Sequence, residues 1–270
     1  MTPDDPTLSP APSPSPPPAP VAAPVAADVG ETALLGGRVR LLQPTTGYRA
    51  GMDAALLAAA VAPRPGDRLF EAGCGAGAVL MQAAARHADL QLVGLERDPA
   101  AAGLARRNAA LNDVSDRTLI LTGDVADRPA PFSPHAFDWA VSNPPFFDDE
   151  TALRVPAPGK RGAWIADGGL TAWTGVLLKA VRDGGRILVI HRADRLADIL
   201  SLLGEKAGSF AVLPIQPHAD QPAKRVLVQA IRSGRAPLRL LPPLVLHDRS
   251  GDKHTPRAEA ILRGEAALEL

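Results

Sequence analysis

The sequence is short of three things, and each shortage closes off a class of protein. A single cysteine, Cys74, among 270 residues leaves no internal disulfide framework and no cysteine-based zinc cluster, and no metal site is read elsewhere. No lysine or arginine precedes Arg38, so the alanine-rich N-terminal patches lack the positive n-region of a secretory signal peptide, and a cytoplasmic location is expected. No uncharged apolar run approaches the length of a membrane-spanning helix: the longest, AALLAAAVAP, is about ten residues against about 18 needed.

What is present is an ordinary globular composition, 46% hydrophobic, enough for one sizeable core. Proline is the exception. Of 28 prolines, 10 fall within the first 28 residues, in a stretch with no aromatic side chain. Residues 1–30 therefore read as a disordered, partly polyproline II tail. Formal charge sums to zero, but residues 1–150 carry 11 Lys and Arg against 18 Asp and Glu, and the remainder carries 18 against 11. Such asymmetry suits a side that faces a polyanion, unless the two halves of the sequence are not halves in space.

A strand–helix alternation runs through the middle of the chain. ALLGGRVRLLQ suggests a short strand or hairpin, and MDAALLAAAVAP a helix stopped by Pro63 and Pro65. DRLFEAG, LQLVGLERD, TLILTGDV, FDWAVSN and GGRILVIHR read as strands. Between or after them AGAVLMQAAARH, PAAAGLARRNAALN, LTAWTGVLLKAVRD and ADRLADILSLLGEKA read as helices. FAVLPIQP and KRVLVQAIRS follow with only a loop between them, which permits an antiparallel hairpin at the sheet edge. The expected fold is α/β, a mostly parallel sheet with helices on both faces, in one domain over residues 31–270. Residues 236–270, with a weak helix at PRAEAILRG, read as a C-terminal appendage of that domain.

EAGCGAG, residues 71–77, closes the first strand of this rhythm and opens a helix. Glycines at 73, 75 and 77 permit a tight turn and a close backbone approach to a ligand, and the helix start offers free N–H donors. Glu71 precedes them within the strand. The spacing also satisfies the relaxed dinucleotide-binding fingerprint. Glu96 ends the next strand, 21 residues after Gly75, where a carboxylate accepts from ribose hydroxyls; Asp124 ends the third and suits an adenine amino group. Each is also explained singly as a solvated loop carboxylate or a helix cap. Cys74 lies inside the glycine turn, where it reads as a small residue with no catalytic part.

SNPPF, residues 142–146, leaves the fourth strand. Pro144 and Pro145 carry no N–H, so the backbone there offers carbonyl acceptors, and each proline stiffens the residue before it. Such a place wants a donor. A planar amino group can give one N–H to the Asn143 side-chain oxygen and one to a proline-pair carbonyl, while Phe146 stacks on the attached ring.

In this context SNPPF resembles the segment that binds the target nitrogen in class I S-adenosylmethionine-dependent methyltransferases acting on planar amino groups. The resemblance covers about residues 35 to 232. It implies a Rossmann-like fold with a seven-stranded sheet, and S-adenosylmethionine bound by Glu71, Gly73, Gly75, Gly77, Glu96, Asp124 and Asn143. Asn143, Pro144, Pro145 and Phe146 would be the catalytic segment. Upstream, QPTTGYRAGMDAALL at residues 43–57 is similar to the lead-in of bacterial tRNA (adenine-N6)-methyltransferases that act on valine tRNA. That implies a tRNA partner and places Tyr48, Arg49 and Asp53 beside the substrate, Asp53 also serving as a cap of its helix. Basic residues at Lys160, Arg161, Lys224, Arg225, Arg232, Arg235 and Arg239, with no acid between 221 and 240, suit a phosphate-contacting face.

The expected reaction is methylation of an adenine N6 in a tRNA anticodon loop. Ribosomal guanine N2 or a protein glutamine would suit the same cofactor chemistry. An NAD-dependent dehydrogenase would use the glycine loop without the NPPF segment, and a non-catalytic RNA-binding module would keep the fold alone.

Overall fold

The computed structural model of the chain describes residues 28–46, 49–127, 133–145, 168–249 and 253–270. The tail expected over residues 1–30 lies outside these except at its end, where Val29 and Gly30 already belong to a strand. Two antiparallel strands, β1 (Val29–Leu34) and β2 (Val39–Pro44), form the expected hairpin as a small sheet of their own. In β2, Val39, Leu41 and Gln43 point inward at a period of two and are buried.

Segments apolar on both faces become the inner strands of the main sheet. These are β3 (Arg68–Ala72), β4 (Gln91–Glu96), β6 (Phe137–Ser142) and β7 (Val181–Arg192), all parallel to one another and to β5 (Thr118–Thr122), which forms the edge beside β4. β8 (Ala207–Gln216) and β9 (Arg225–Arg232) make the antiparallel hairpin, and β9 inserts between β7 and β8. The seven long strands thus run β8-β9-β7-β6-β3-β4-β5. Two further strands of two residues each, β10 (Arg239–Leu240) and β11 (Leu244–Val245), extend the β8 edge in parallel.

The helices are α1 (Met52–Ala59), α2 (Ala78–Arg86), α3 (Pro99–Leu111), α4 (Gly168–Ala180), α5 (Leu196–Gly204) and α6 (Pro256–Arg263). Their starts follow local chemistry. Asp98 accepts from Ala100 N–H at 2.9 Å ahead of Pro99, and Thr255 does the same for Ala258 ahead of Pro256. One core lies between the sheet and α1, α2, α3 and α6, the other between its opposite face and α4 and α5. The result is a three-layer α/β arrangement of the Rossmann-like type. No helix among the described residues is long and apolar enough to cross a membrane.

The late basic residues do not form the single face expected of them. β9 spans the full height of the sheet, so Lys224 and Arg225 lie level with the end of β7, where Arg192 pairs Arg225. Arg232 comes out at the opposite end, paired with Ala207 and bonded to Asp183 at 2.9 Å, and Arg235 follows it. Arg239 lies on the outer strand β10. Lys160 and Arg161 fall outside the described residues.

Candidate active site

Parallel strands carry their turns to one end of the sheet, where α/β proteins bind ligands. The register pairs Ala72 with Ser142 across β3 and β6. One residue further on, Gly73 and Asn143 therefore leave adjacent strands side by side. The glycine turn is tied down from its other flank, because the Gly73 and Cys74 amides both donate to the Leu95 carbonyl, at 2.7 and 3.0 Å. Gly73 has a φ of +68°, and a β-carbon there would lie 2.2 Å from Cη2 of Trp173 on α4. Glycine is required on both counts. At Gly75 a β-carbon would meet nothing within 4 Å, so that backbone faces open space. Cys74 is buried, its thiol pushed well above the ordinary range by burial and then by Glu71 and Glu96, which leaves it unreactive.

Two carboxylates flank the turn. Glu71 is 2% exposed. Burial, then repulsion from Glu96, push its pKa well above the usual carboxylate range, while the Leu80 amide in the first turn of α2 works against them. Its Oε2 is buried with no hydrogen-bond partner among the described residues. Glu96 accepts from Gly75 N–H at 2.9 Å through one oxygen and from Asp98 N–H at 2.8 Å through the other. Each oxygen keeps a second lone pair for a further donor. Asp124 closes a turn by accepting from Ala126 N–H at 2.9 Å and lies 3.5 Å from the Arg97 guanidinium. An orphaned buried carboxylate oxygen, a second carboxylate beside it and an open glycine turn together fit a ligand with positive charge and vicinal hydroxyls.

On the other flank Ser142 donates to the Ala72 carbonyl at 3.0 Å, holding the exit of β6 to β3. Asn143 and Pro145 are half-buried and Pro144 is buried; Phe146 and Tyr48 lie outside the described residues. Arg49 is exposed and donates to Thr32 Oγ1 at 3.1 Å. Asp53 does not cap α1. The N-cap is Gly51, without a side-chain bond, and Asp53 instead pairs with Arg225 at the start of β9, at 3.3 Å. His191, beside the end of β6 on β7, is 2% exposed. Burial, then the Arg195 and Arg225 charges, lower its pKa to about 4.

Trp173, His191 and the Arg225 partner of Asp53 were not found by sequence reasoning. The sequence carried a faint sign of each: a tryptophan and a histidine inside apolar runs, and an arginine opening a strand.

The fold and this strand-end arrangement define a class I S-adenosylmethionine-dependent methyltransferase. Residues 49–155 match the family model for the methyltransferase small domain. A tRNA1(Val) (adenine(37)-N6)-methyltransferase of Yersinia pestis is 36% identical over 189 residues, 68% of this chain and 74% of the relative. One of Porphyromonas gingivalis is 31% identical over 160 residues, 56% of this chain and 61% of the relative, so the chain spans less than two thirds of that protein. Among solved structures, a predicted O-methyltransferase from Agrobacterium tumefaciens superposes with a TM-score of 0.68 at 28% identity, over 81% of this chain and 99% of that one. The chain belongs to the family of the tRNA1(Val) (adenine(37)-N6)-methyltransferases, and S-adenosylmethionine is the cofactor of its class.

Proposed function

We propose that the chain methylates the N6 amino group of an adenine in a tRNA anticodon loop, in the cytoplasm. The observation that carries this reading is the register that sets the glycine turn and the Asn143-Pro144-Pro145 exit on neighbouring strands, one residue beyond the Ala72–Ser142 pair. A donor held at the first and an amino group held at the second meet across one strand spacing. The names of the family relatives supply the adenine and the tRNA.

In this reading Glu96 provides negative charge for a cationic cofactor, and Glu71 offers it a buried carboxyl oxygen. Gly73, Gly75 and Gly77 let the backbone approach it, Glu96 accepts from its ribose, and Asp124 borders its adenine. The cofactor, when bound, supplies an electrophilic methyl on a positively charged sulfur. The Asn143 side-chain oxygen and the Pro144 carbonyl each accept one N–H of the target amino group, which turns the nitrogen lone pair out of the ring plane. Pro145 stiffens the segment and Phe146 stacks on the base. Catalysis is then mostly positioning and exclusion of water. Tyr48, Arg49, Lys160 and Arg161 are the candidate RNA contacts in this reading, and Asp53 fixes the start of α1 against Arg225.

Incubating the protein with S-adenosylmethionine labelled on the methyl group, together with separated tRNA, ribosomal RNA and protein fractions, tests the acceptor class. Label is expected in tRNA. Label confined to protein or ribosomal RNA would replace the acceptor while keeping the donor chemistry.

A further inference from the structure

Asn108 is fully buried on α3, yet its amide reaches two separate elements. Oδ1 accepts from Leu42 N–H at 2.7 Å, and Nδ2 donates to the Leu42 carbonyl and to the Ala76 carbonyl, both at 2.8 Å. One turn later Asn112 serves Arg40 in the same way: it accepts from the Arg40 N–H at 2.9 Å and donates to the Arg40 carbonyl at 2.7 Å. Four residues along a helix rise about 6 Å and two along a strand about 6.6 Å, so the two amides match alternate residues of β2. Together they replace a neighbouring strand along the outer edge of the hairpin. They differ in their remaining bond. That of Asn108 goes to the glycine loop, that of Asn112 to the Asn108 carbonyl.

From Leu42 the contacts continue toward the substrate side. Gln43, 3% exposed, accepts from Ala50 N–H at 3.0 Å and donates to Thr32 Oγ1 at 2.9 Å. Arg49 donates to the same Thr32 oxygen at 3.1 Å. Two sets of hydrogen bonds, joined by the Leu42–Gln43 peptide bond of β2, therefore connect Ala76, inside the glycine loop, to Arg49 and Ala50, immediately ahead of α1 and Asp53.

We propose that Asn108 is a positioning residue that couples occupancy of the glycine loop to the segment carrying Arg49 and Asp53. Cofactor binding then sets the substrate-facing arm, and by linkage a substrate held on that arm tightens the cofactor. The inference rests on the reading of the glycine loop as the cofactor site; it does not depend on which acceptor is methylated.

Hydrogen exchange of the full chain, with and without saturating S-adenosylhomocysteine, tests it in wild type, Asn108→Ala and Asn112→Ala. In wild type and Asn112→Ala the ligand is expected to slow exchange about fivefold or more both at residues 73–77 and over residues 39–53. In Asn108→Ala the slowing at 73–77 persists while that over 39–53 falls below about twofold. Equal loss in both asparagine variants would reduce Asn108 to a structural edge residue, and arm protection retained in Asn108→Ala would overturn the coupling. A wild-type arm that does not respond while the loop does would overturn it as well. A loop that does not respond overturns the cofactor reading too. Gln43→Leu cuts the same connection further along and covers the case in which Asn108→Ala fails to fold: protection over 39–42 is expected to remain and that over 49–53 to disappear. Retained protection at 49–53 contradicts the proposal.

Discussion

Gly73→Ala attacks the glycine turn where two demands meet. An L-residue held at a φ of +68° costs about 1–2 kcal/mol. The added β-carbon also lies 2.2 Å from Cη2 of Trp173, itself 8% exposed and packed in the second core. Forcing that ring to move adds about 1–3 kcal/mol. The sum, about 2–5 kcal/mol, corresponds to a fall in Tm of about 4–20 °C for a chain of this size. Because the turn itself shifts, affinity for S-adenosylhomocysteine is expected to drop at least about tenfold, equivalent to about 1.4 kcal/mol. Trp173→Leu separates the two costs. In the double variant the collision is gone and the backbone cost remains, so the penalties should fall short of additivity by about 1–3 kcal/mol. Thermal melts and calorimetry of the four proteins provide the cycle. A Gly73→Ala protein that melts with wild type, or penalties that add fully, would refute the packing argument.

Asn143→Ala is expected to lower kcat by about 10²–10³ through loss of an acceptor aligned on the reacting nitrogen, with S-adenosylhomocysteine affinity by calorimetry nearly unchanged; normal turnover would remove Asn143 from its role. Glu71, with its folded pKa well above the unfolded value, contributes most to stability below pH 4.5, and that contribution is lost as pH rises through the folded value. Glu71→Gln should therefore raise the Tm of the ligand-free protein at pH 8 while weakening cofactor binding, and melts that fall with pH as steeply as wild type would contradict this. For His191 the folded pKa is depressed to about 4 from 6.5, so stability is full above pH 6.5 and lost as pH falls toward 4. The loss reaches about 3 kcal/mol. His191→Gln should flatten the melting temperature across that window, and an unchanged pH profile would assign the loss to other groups.

Much of the fold follows from patterns that a single sequence displays. The apolar runs of β3, β4, β6 and β7 are bounded by turn residues, and Asp98-Pro99 and Thr255-Pro256 mark helix starts by their own chemistry. β10 and β11 escaped because two residues flanked by prolines carry no periodicity; pairing to β8 alone makes them strands. β7 begins at Val181, ahead of its glycines, because Val181 pairs with Phe137 across a register shift. In the candidate site, Gly73, Glu96 and Asn143 stand out in the sequence because Glu96 ends its strand and the other two directly follow theirs. Asn108 does not. It reads as one polar residue in a helix, and its meaning depends on β2 and the glycine loop arriving from distant parts of the chain. The late basic run misled for the related reason that a strand carries its two ends to opposite poles of the sheet.

The central claim is the identity of the methylated atom. Mass spectrometry of nuclease-digested tRNA from cells with and without the gene compares every modified nucleotide at once. One N6-methyladenosine, located in an anticodon loop, is expected to vanish without the gene and to return with the wild-type protein but not with Asn143→Ala. Unchanged adenine modification, with a methyl group lost instead from a guanine, from a hydroxyl oxygen or from a protein, would contradict it.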